Sequence, residues 1–470
     1  MSSTTSTPNE QQWANLDLRS LALFRMGIGV VLLLDTLARI PDITSFYTDS
    51  GMLPRELLTQ SGLADSWLCL HLGGGGWWSQ FILLLVQAGF ALGLVLGWRT
   101  RLMILGSWVL HNSLLLRNPF VNDRGDLQLA LMLFWAFFLP LGARWSMDQK
   151  SGRPSTGSNH GLPAAALILQ FVQIYLCTAL LKYGEFWLVR GDGFFHSLQS
   201  PLFSNSLSLW MSRWPPLILK ILNYAVIAGE LFAGILLLCP VSVGMVRGVA
   251  FVLLFLFHGS VFFLFDLGIF PLIGLVSLMA LLPSSFWNLS FARRFSEWLS
   301  SRSSSKLDEE FCLPSLSKAI LVVSIVLVFL SNLVARPSGD AFALPSLLKT
   351  MTKILRLEQH WDLFSPIPPY NGRFVLRDIS SGESLYSCPS SADDMKSHGF
   401  RNHRWKMAMI SSLFPKGRVL RSGLAKSLQL GKQASDPLQY EFVVRLVQRN
   451  GDLAEPKTWV LWTEKIQNPL

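Results

Sequence analysis

The stretch Trp78-Ser79-Gln80-Phe81-Ile82-Leu83-Leu84-Leu85-Val86-Gln87-Ala88-Gly89-Phe90-Ala91-Leu92-Gly93-Leu94-Val95-Leu96-Gly97-Trp98 contains no charged residue. A helix needs about 20 apolar residues to cross roughly 30 Å of hydrocarbon, so this run reads as a transmembrane span. Arg99-Thr100-Arg101 follows, and then a second apolar block over 102–118. Two apolar blocks joined by a three-residue basic link set the pattern for the chain.

Working outward, similar blocks occupy 19–40, 126–143, 163–183, 217–239, 245–266, 269–287 and 319–335. Few of them carry a polar face at the 3.6-residue period, as expected of helices that meet lipid or each other all round. Of the 470 residues, 50% are hydrophobic and 15% charged, against about 25% charged in soluble proteins. The net charge of +10 does not indicate nucleic acid, because the basic residues sit in short loops beside apolar blocks, where they fix orientation. The first 18 residues are polar, with no basic n-region and no small-residue cleavage site after the first block. The first span is therefore expected to be retained.

With the N-terminus in the cytoplasm, the inner loops hold Arg99, Arg101, Arg144, Lys150, Arg153, Arg247, Arg293, Arg294, Arg302 and Lys306. The outer loops hold Arg55, Arg117, Arg124, Arg190 and Arg213 over more residues. The bias supports this orientation. Nine spans then place the C-terminal part outside the cytoplasm. That part reads differently: Gly372 to Tyr386 is strand, Ser-Ser-Gly-Glu turn and short strand. Tyr440 to Trp462 is strand, Asn450-Gly451 turn and strand, and the basic stretch 395–430 between them is helical in part. The expected fold is an all-α polytopic membrane bundle of about nine transmembrane helices with a small α+β extracytoplasmic C-terminal domain. Its parts are a polar segment 1–18, a bundle over 19–336 and the outer domain over 337–470.

Titratable groups inside spans are costly and so are functional candidates. They are Arg25, Asp35, His111, Asp126, Lys182, Glu185, Glu230, His258 and Asp266. Internal ion pairs and interhelical hydrogen bonds are the ordinary explanation for any one of them. Lys182 ends an apolar span, in Leu180-Leu181-Lys182-Tyr183-Gly184-Glu185-Phe186-Trp187. Burial would favour its neutral amine, a general base; the alternative is a snorkelling lysine partnered by Glu185 one turn away. His258 sits mid-span, where a histidine is more often a hydrogen-bonded core residue than a ligand. Arg25 and Asp35 lie about 15 Å apart along one helix and must find partners elsewhere. Five cysteines are scattered with no CxxC and no zinc spacing, so no metal is expected. Cys69 and Cys388 both fall outside in this topology, where a disulfide between them and two unrelated cysteines are equally open readings. Gly73 to Gly76 lacks the Lys-Ser/Thr of a phosphate loop.

Several segments, in order along the chain, resemble the HTTM (horizontally transferred transmembrane domain) family, which includes the vitamin K-dependent gamma-glutamyl carboxylases. They are Ser20-Leu21-Ala22-Leu23-Phe24-Arg25 with Asp35, Trp145-Ser146-Met147-Asp148, Lys182 with Trp187, and Phe257-His258 with Gly268-Ile269-Phe270. Beyond the bundle, Trp361-Asp362-Leu363-Phe364 and Arg373 to Asp378 resemble the opening of the family's lumenal domain. No single motif is specific; the order and spacing carry the likeness.

The resemblance implies two coupled half-reactions. A base at the position of Lys182 deprotonates a reduced vitamin K or related naphthoquinol, and O2 converts it to the epoxide through a strongly basic alkoxide. That alkoxide removes a γ-proton from a glutamyl side chain, and CO2 captures the carbanion. Catalytic candidates are Lys182 and His258; pocket candidates are Arg25, Asp126, Glu185, Trp187 and Glu230. The partners expected are the lipid bilayer, a lipophilic quinone and a glutamate-bearing protein or peptide. Two departures weigh against carboxylation: Gly125-Asp126 stands where the animal carboxylase has Asn-His, and the outer domain is too short for much propeptide-gripping surface. The competing readings are a non-enzymatic maturation or export factor acting through the outer domain, and a transporter, against which the chain shows no repeat pairing between halves. No sorting signal is apparent, which favours a bacterial inner membrane.

Overall fold

The structure, a computed structural model, describes residues 13–62, 68–150, 161–200, 202–300, 314–334, 345–359, 361, 364, 370–379, 381–382, 384–388, 400–428, 438–446 and 457–463. The principal bundle helices are α1 Leu18–Arg39, α2 Trp77–Leu96, α3 Thr100–Arg117, α4 Arg124–Ala136, α5 Gly161–Leu181, α6 Pro216–Leu238, α7 Val243–Leu264 and α8 Phe270–Leu278. They are followed by α9 Ser290–Ser300, α10 Ser315–Val334 and α11 Ser346–Leu355.

Six of these are long and apolar enough to cross a membrane: α1 with its continuation to Tyr47, α2, α5, α6, α7 and α10. The protein is an integral membrane protein. The blocks read as the third, fourth and eighth spans form α3, α4 and α8, which fall short of that standard. Packing explains why. Eleven of the thirteen residues of α4 are buried, so protein rather than lipid sets its length. Helix α3 turns Ser107, His111, Asn112, Ser113 and Arg117 inward, which dilutes its hydropathy. By contrast α6 and α7 present Leu217, Ile221, Phe232, Val252, Leu256 and Phe263 outward, as a lipid-facing surface should.

The short helices still connect both ends of the bundle. At one end Asp148 accepts the N–H groups of Arg99 and Thr100, both at 2.7 Å, and so caps α3. At the other end Arg117 donates to the Leu53 carbonyl at 2.8 Å. The Trp145-Ser146-Met147-Asp148 segment thus has a structural role. Ser20 at the start of α1 donates to Leu282 O at 2.9 Å, which ties the chain after α8 to the same end as Asp148.

The C-terminal domain holds strands β1 Tyr370–Asp378, β2 Ser384–Cys388, β3 Leu438–Leu446 and β4 Lys457–Thr463, with helices α12 Phe400–Leu413 and α13 Arg421–Leu428. The sheet is antiparallel in the order β2-β1-β3-β4. Both expected strand pairs form; the Asn450-Gly451 turn lies outside the described residues. Phe374, Leu376 and Tyr440 of the sheet share a core with Ala408 and Met409 of α12, Leu424 of α13, and Phe46, Met52 and Leu53 of the bundle's loops. The domain is therefore seated on one end of the bundle. Between bundle and sheet, Leu357 and Trp361 are buried in the bundle core. Gln359 there exchanges hydrogen bonds with Gln170 of α5 at 2.9 and 3.0 Å.

Candidate functional site

Two buried charged centres lie near the end of the bundle that carries the C-terminal domain. The first is built on Lys182. Helix α5 places Tyr175, Thr178 and Lys182 at spacings of three, four and seven, which stacks them on one face. The Lys182 ammonium is 4% exposed and donates to Glu230 Oε2 of α6 at 2.6 Å, the Glu230 side chain being 1% exposed. A second bond goes to Thr178 O at 3.3 Å. The partner is thus Glu230 on a neighbouring helix, and Glu185 is exposed outside the cluster.

The chain then turns back over this pair. Gly184 adopts φ +95°, a conformation that side chains resist, and a π-helical turn follows over Glu185–Arg190. It brings the Trp187 ring to 5.7 Å from Lys182 Nζ, within cation–π range. Trp187 is pinned from two sides. Its indole donates to Phe364 O at 2.9 Å, and its carbonyl accepts from Asn223 of α6 at 2.9 Å. Asn223 also accepts from the N–H of Phe194 at 3.0 Å, which fixes the loop between α5 and α6 on α6.

His258 enters through Tyr175. The Tyr175 hydroxyl and His258 Nε2 lie 3.0 Å apart, both groups buried. The other ring nitrogen faces Gly274 of α8, where a Cβ would fall 2.2 Å from Nδ1. Of the polar atoms in this cluster, Glu230 Oε1 and His258 Nδ1 have no hydrogen-bond partner among the described residues. A proton can pass between Lys182 Nζ and Glu230 Oε2 without changing the net charge of the pair, and Glu230 Oε1 is left to act on a third group.

The second centre is saturated. Arg39 of α1 donates to Asp35 Oδ2 at 2.9 Å, to Asp126 Oδ1 of α4 at 2.6 Å and to the Tyr47 hydroxyl at 2.6 Å. Arg404, from α12 of the C-terminal domain, donates to both Asp126 oxygens at 2.9 and 3.0 Å and to Asp35. All four side chains are at most 6% exposed. Burial alone would push the Arg404 guanidinium down, but Asp126 and Asp35 outweigh it and hold the group above its ordinary value. Around this core His403 meets Asp123 at 3.1 Å and Lys406 meets Asp266 at 2.5 Å. The C-terminal domain is fastened to the bundle by an ionic latch.

The structure therefore gathers Lys182, Glu230, Trp187 and His258 in one cluster and assigns Asp126 to the latch. Arg25 stands at the far end of the bundle, donating to Trp145 O at 2.6 Å. Cys69 is a buried free thiol 3.4 Å from the Ser113 carbonyl; the Cys388 side chain lies outside the described residues. Sequence reasoning missed Tyr175, Asn223, Arg39 and Arg404. Tyr175 was within reach, since seven residues before Lys182 is the same helix face. Arg404 carried no signal, because its partners are 369 and 278 residues away. Among the described residues, no three or more His, Cys, Asp or Glu side chains gather as they would around a metal ion.

A family model described as HTTM domain matches residues 13–287, more than half of the chain. No curated protein and no solved structure matches it.

Proposed function

Since this chain belongs to the HTTM domain family, we propose that it is a membrane-embedded enzyme whose Lys182–Glu230 pair moves protons for a lipophilic quinol substrate. The observation that carries this reading is the pair itself: a 2.6 Å contact between two nearly fully buried side chains, with Glu230 Oε1 unpartnered. Burial of two charges is hard to justify as a source of stability, since apolar replacements do as well or better. A chemical role accounts for keeping them. The free Glu230 Oε1 gives the pair an acceptor that would suit a quinol hydroxyl. Helices α5 and α6 carry the pair, and Leu180, Tyr183 and Leu188, within six residues of Lys182 in the chain, are exposed. Trp187, 3% exposed, covers the pair, so a flat apolar molecule entering from the bilayer would have to displace its ring to reach Glu230. A reduced naphthoquinol with O2 would supply the oxidation, ending as epoxide and water. Lys182 and Glu230 would take the hydroxyl proton, and Tyr175 and His258 would hold the α5 face in place.

The second half-reaction, proton abstraction from a glutamyl-type substrate and capture of CO2, finds less support. Asp126, at the position of the expected histidine, is held by Arg39 and Arg404 and offers no donor. Gly125 has no room for the expected asparagine: even a Cβ would lie 2.6 Å from the Phe270 backbone nitrogen. Carboxylation is thus a second arm of the test. A non-enzymatic maturation or export factor is the second reading, favoured by the latch, which seats the outer domain firmly for a partner protein.

For topology we propose nine crossings, with α3, α4 and α8 as protein-enclosed spans. The N-terminus would be cytoplasmic and the C-terminal domain extracytoplasmic, in a bacterial inner membrane. The contacts of these three helices at both bundle ends support it.

The test supplies purified protein in nanodiscs with reduced vitamin K, O2 and bicarbonate and follows epoxide by chromatography. A glutamyl peptide with labelled bicarbonate is the second arm. Epoxide formation should fall by roughly 10²–10⁴ in Lys182→Ala, the range for loss of a general base. No epoxide from folded protein across several quinols would favour the maturation-factor reading, for which Lys182→Ala would be tolerated and loss of residues 340–470 would not.

A further inference from the structure

At the bundle end opposite the C-terminal domain, a cavity of about 580 Å³ opens between the starts of α1 and α7 and helix α9. Asp17, Arg19, Arg144, Arg247, Ser284 and Ser296 line it. The charges do not balance. Arg19 is paired with Asp17 at 2.7 Å. Arg247 is 7% exposed, and its two hydrogen bonds, both 2.7 Å, end on the carbonyls of Asn15 and Trp13. Arg144 is half-buried. Neither Arg144 nor Arg247 has a carboxylate partner among the described residues. Three guanidinium groups and one carboxylate leave two positive charges in a partly enclosed site, where solvent compensates them poorly.

The wall of this pocket is not an ordinary surface. Helix α9 carries Phe291, Phe295 and Trp298 at spacings of four and three, which places them on one helix face. All three are exposed, at 65, 42 and 50%. Arg293 and Arg294 are exposed too. An aromatic face beside basic residues is the pattern of a helix lying in the membrane interface. Phe295 packs edge-on against Trp145 with ring centroids 6.1 Å apart, which fixes this face to the pocket rim. Ser296 and Ser300 turn toward the cavity.

We propose that this pocket binds the phosphate headgroup of an anionic phospholipid, with its acyl chains against the aromatic face of α9. Guanidinium groups bind phosphate oxygens through paired, charge-assisted hydrogen bonds. The serine hydroxyls at the rim suit a headgroup such as glycerol. A soluble phosphate would satisfy Arg144 and Arg247 but would leave the aromatic face unexplained, which selects the lipid. The inference does not depend on the chemistry at Lys182.

The test reconstitutes the full chain in nanodiscs of phosphatidylcholine with a minor fraction of phosphatidylglycerol. Lipid retained after detergent extraction is then counted by native mass spectrometry. Phosphatidylglycerol should be retained about tenfold over its mole fraction, the scale of one charge-assisted contact. Arg144→Gln should reduce the enrichment severalfold. Because Arg144 makes no hydrogen bond or ion pair among the described residues, that variant is expected to keep its fold even if Arg247→Gln does not. Equal retention of the two lipids would overturn the proposal, as would an unchanged Arg144→Gln. Displacement of phosphatidylglycerol by millimolar inorganic phosphate would show a soluble-anion site and overturn the lipid assignment.

Discussion

The two charged centres near the C-terminal domain differ in how completely their hydrogen-bonding capacity is used. In the latch, Asp35, Asp126, Arg39 and Arg404 pair two charges of each sign, and both oxygens of each carboxylate accept a bond. In the Lys182–Glu230 pair one carboxylate oxygen accepts and the other does not. A saturated network has nothing left to offer a substrate, whereas an undersatisfied pair in a dry site does. Burial and charge alone would have ranked the two alike. The accounting of individual atoms separates the saturated centre from the one proposed to react.

The sharpest way to break that comparison is to replace each centre by apolar residues. Lys182→Met or Glu230→Leu alone strands a buried charge and should cost about 3–5 kcal/mol. The double variant should recover to within about 1 kcal/mol of the parent in thermal unfolding while epoxide formation stays abolished. Retained activity in the double variant would reduce the pair to a packing device. In the latch, Arg404→Leu leaves two carboxylates facing Arg39 alone. A loss of about 3–5 kcal/mol is expected there, with earlier proteolysis of the C-terminal domain than of the bundle. Uniform unfolding of both parts would mean that Arg404 does not act as a latch.

The same comparison marks what the sequence could reveal. Apolar blocks near 20 residues long declared α1, α2, α5, α6, α7 and α10, because lipid contact imposes length and composition together. Helices α3, α4 and α8 were harder, since a helix enclosed by protein is freed from both constraints. Lys182, Glu230 and His258 stood out as polar residues in apolar blocks. The partnership of Lys182 with Glu230 did not, because Glu185 was nearer in sequence and the choice between them depends on how α5 packs on α6. Asp126 was read as a pocket residue for want of any sign that Arg404, from another domain, would claim it.

A smaller effect tests how closely the two centres adjoin. Gly125 precedes the latch carboxylate, and a Cβ there would lie 2.6 Å from the backbone nitrogen of Phe270. The Phe270 ring is in turn 5.7 Å from His258. Backbone cannot yield as a flexible side chain can, so Gly125→Ala should displace the start of α8. The expected cost is about 1–3 kcal/mol, with a fall in epoxide formation greater than the stability loss explains. A variant as active as the parent would show that the centres are mechanically independent.

The last test lies outside both centres, at His71 in the loop before α2. Its ring is fully buried, with Nδ1 2.7 Å from the Ser113 hydroxyl. Burial, with Arg117 and Arg39 nearby, pushes its pKa from 6.5 down to about 3. The fold thus favours the neutral ring. Stability from this residue is fully present above pH 6.5 and is lost as pH falls from 6.5 toward 3. Each pH unit in that window should remove about 1.4 kcal/mol. The exposed Asp49, held low by its hydrogen bonds from Arg55, loses its contribution only as pH falls below its ordinary value of 3.8, a lower window. Thermal unfolding of the parent between pH 7 and 5 should show a falling midpoint, and His71→Gln should make the fall shallower without abolishing it, since burial also holds the His196 ring below its ordinary value. Parallel curves for the two proteins would mean that the loop opens to admit the proton.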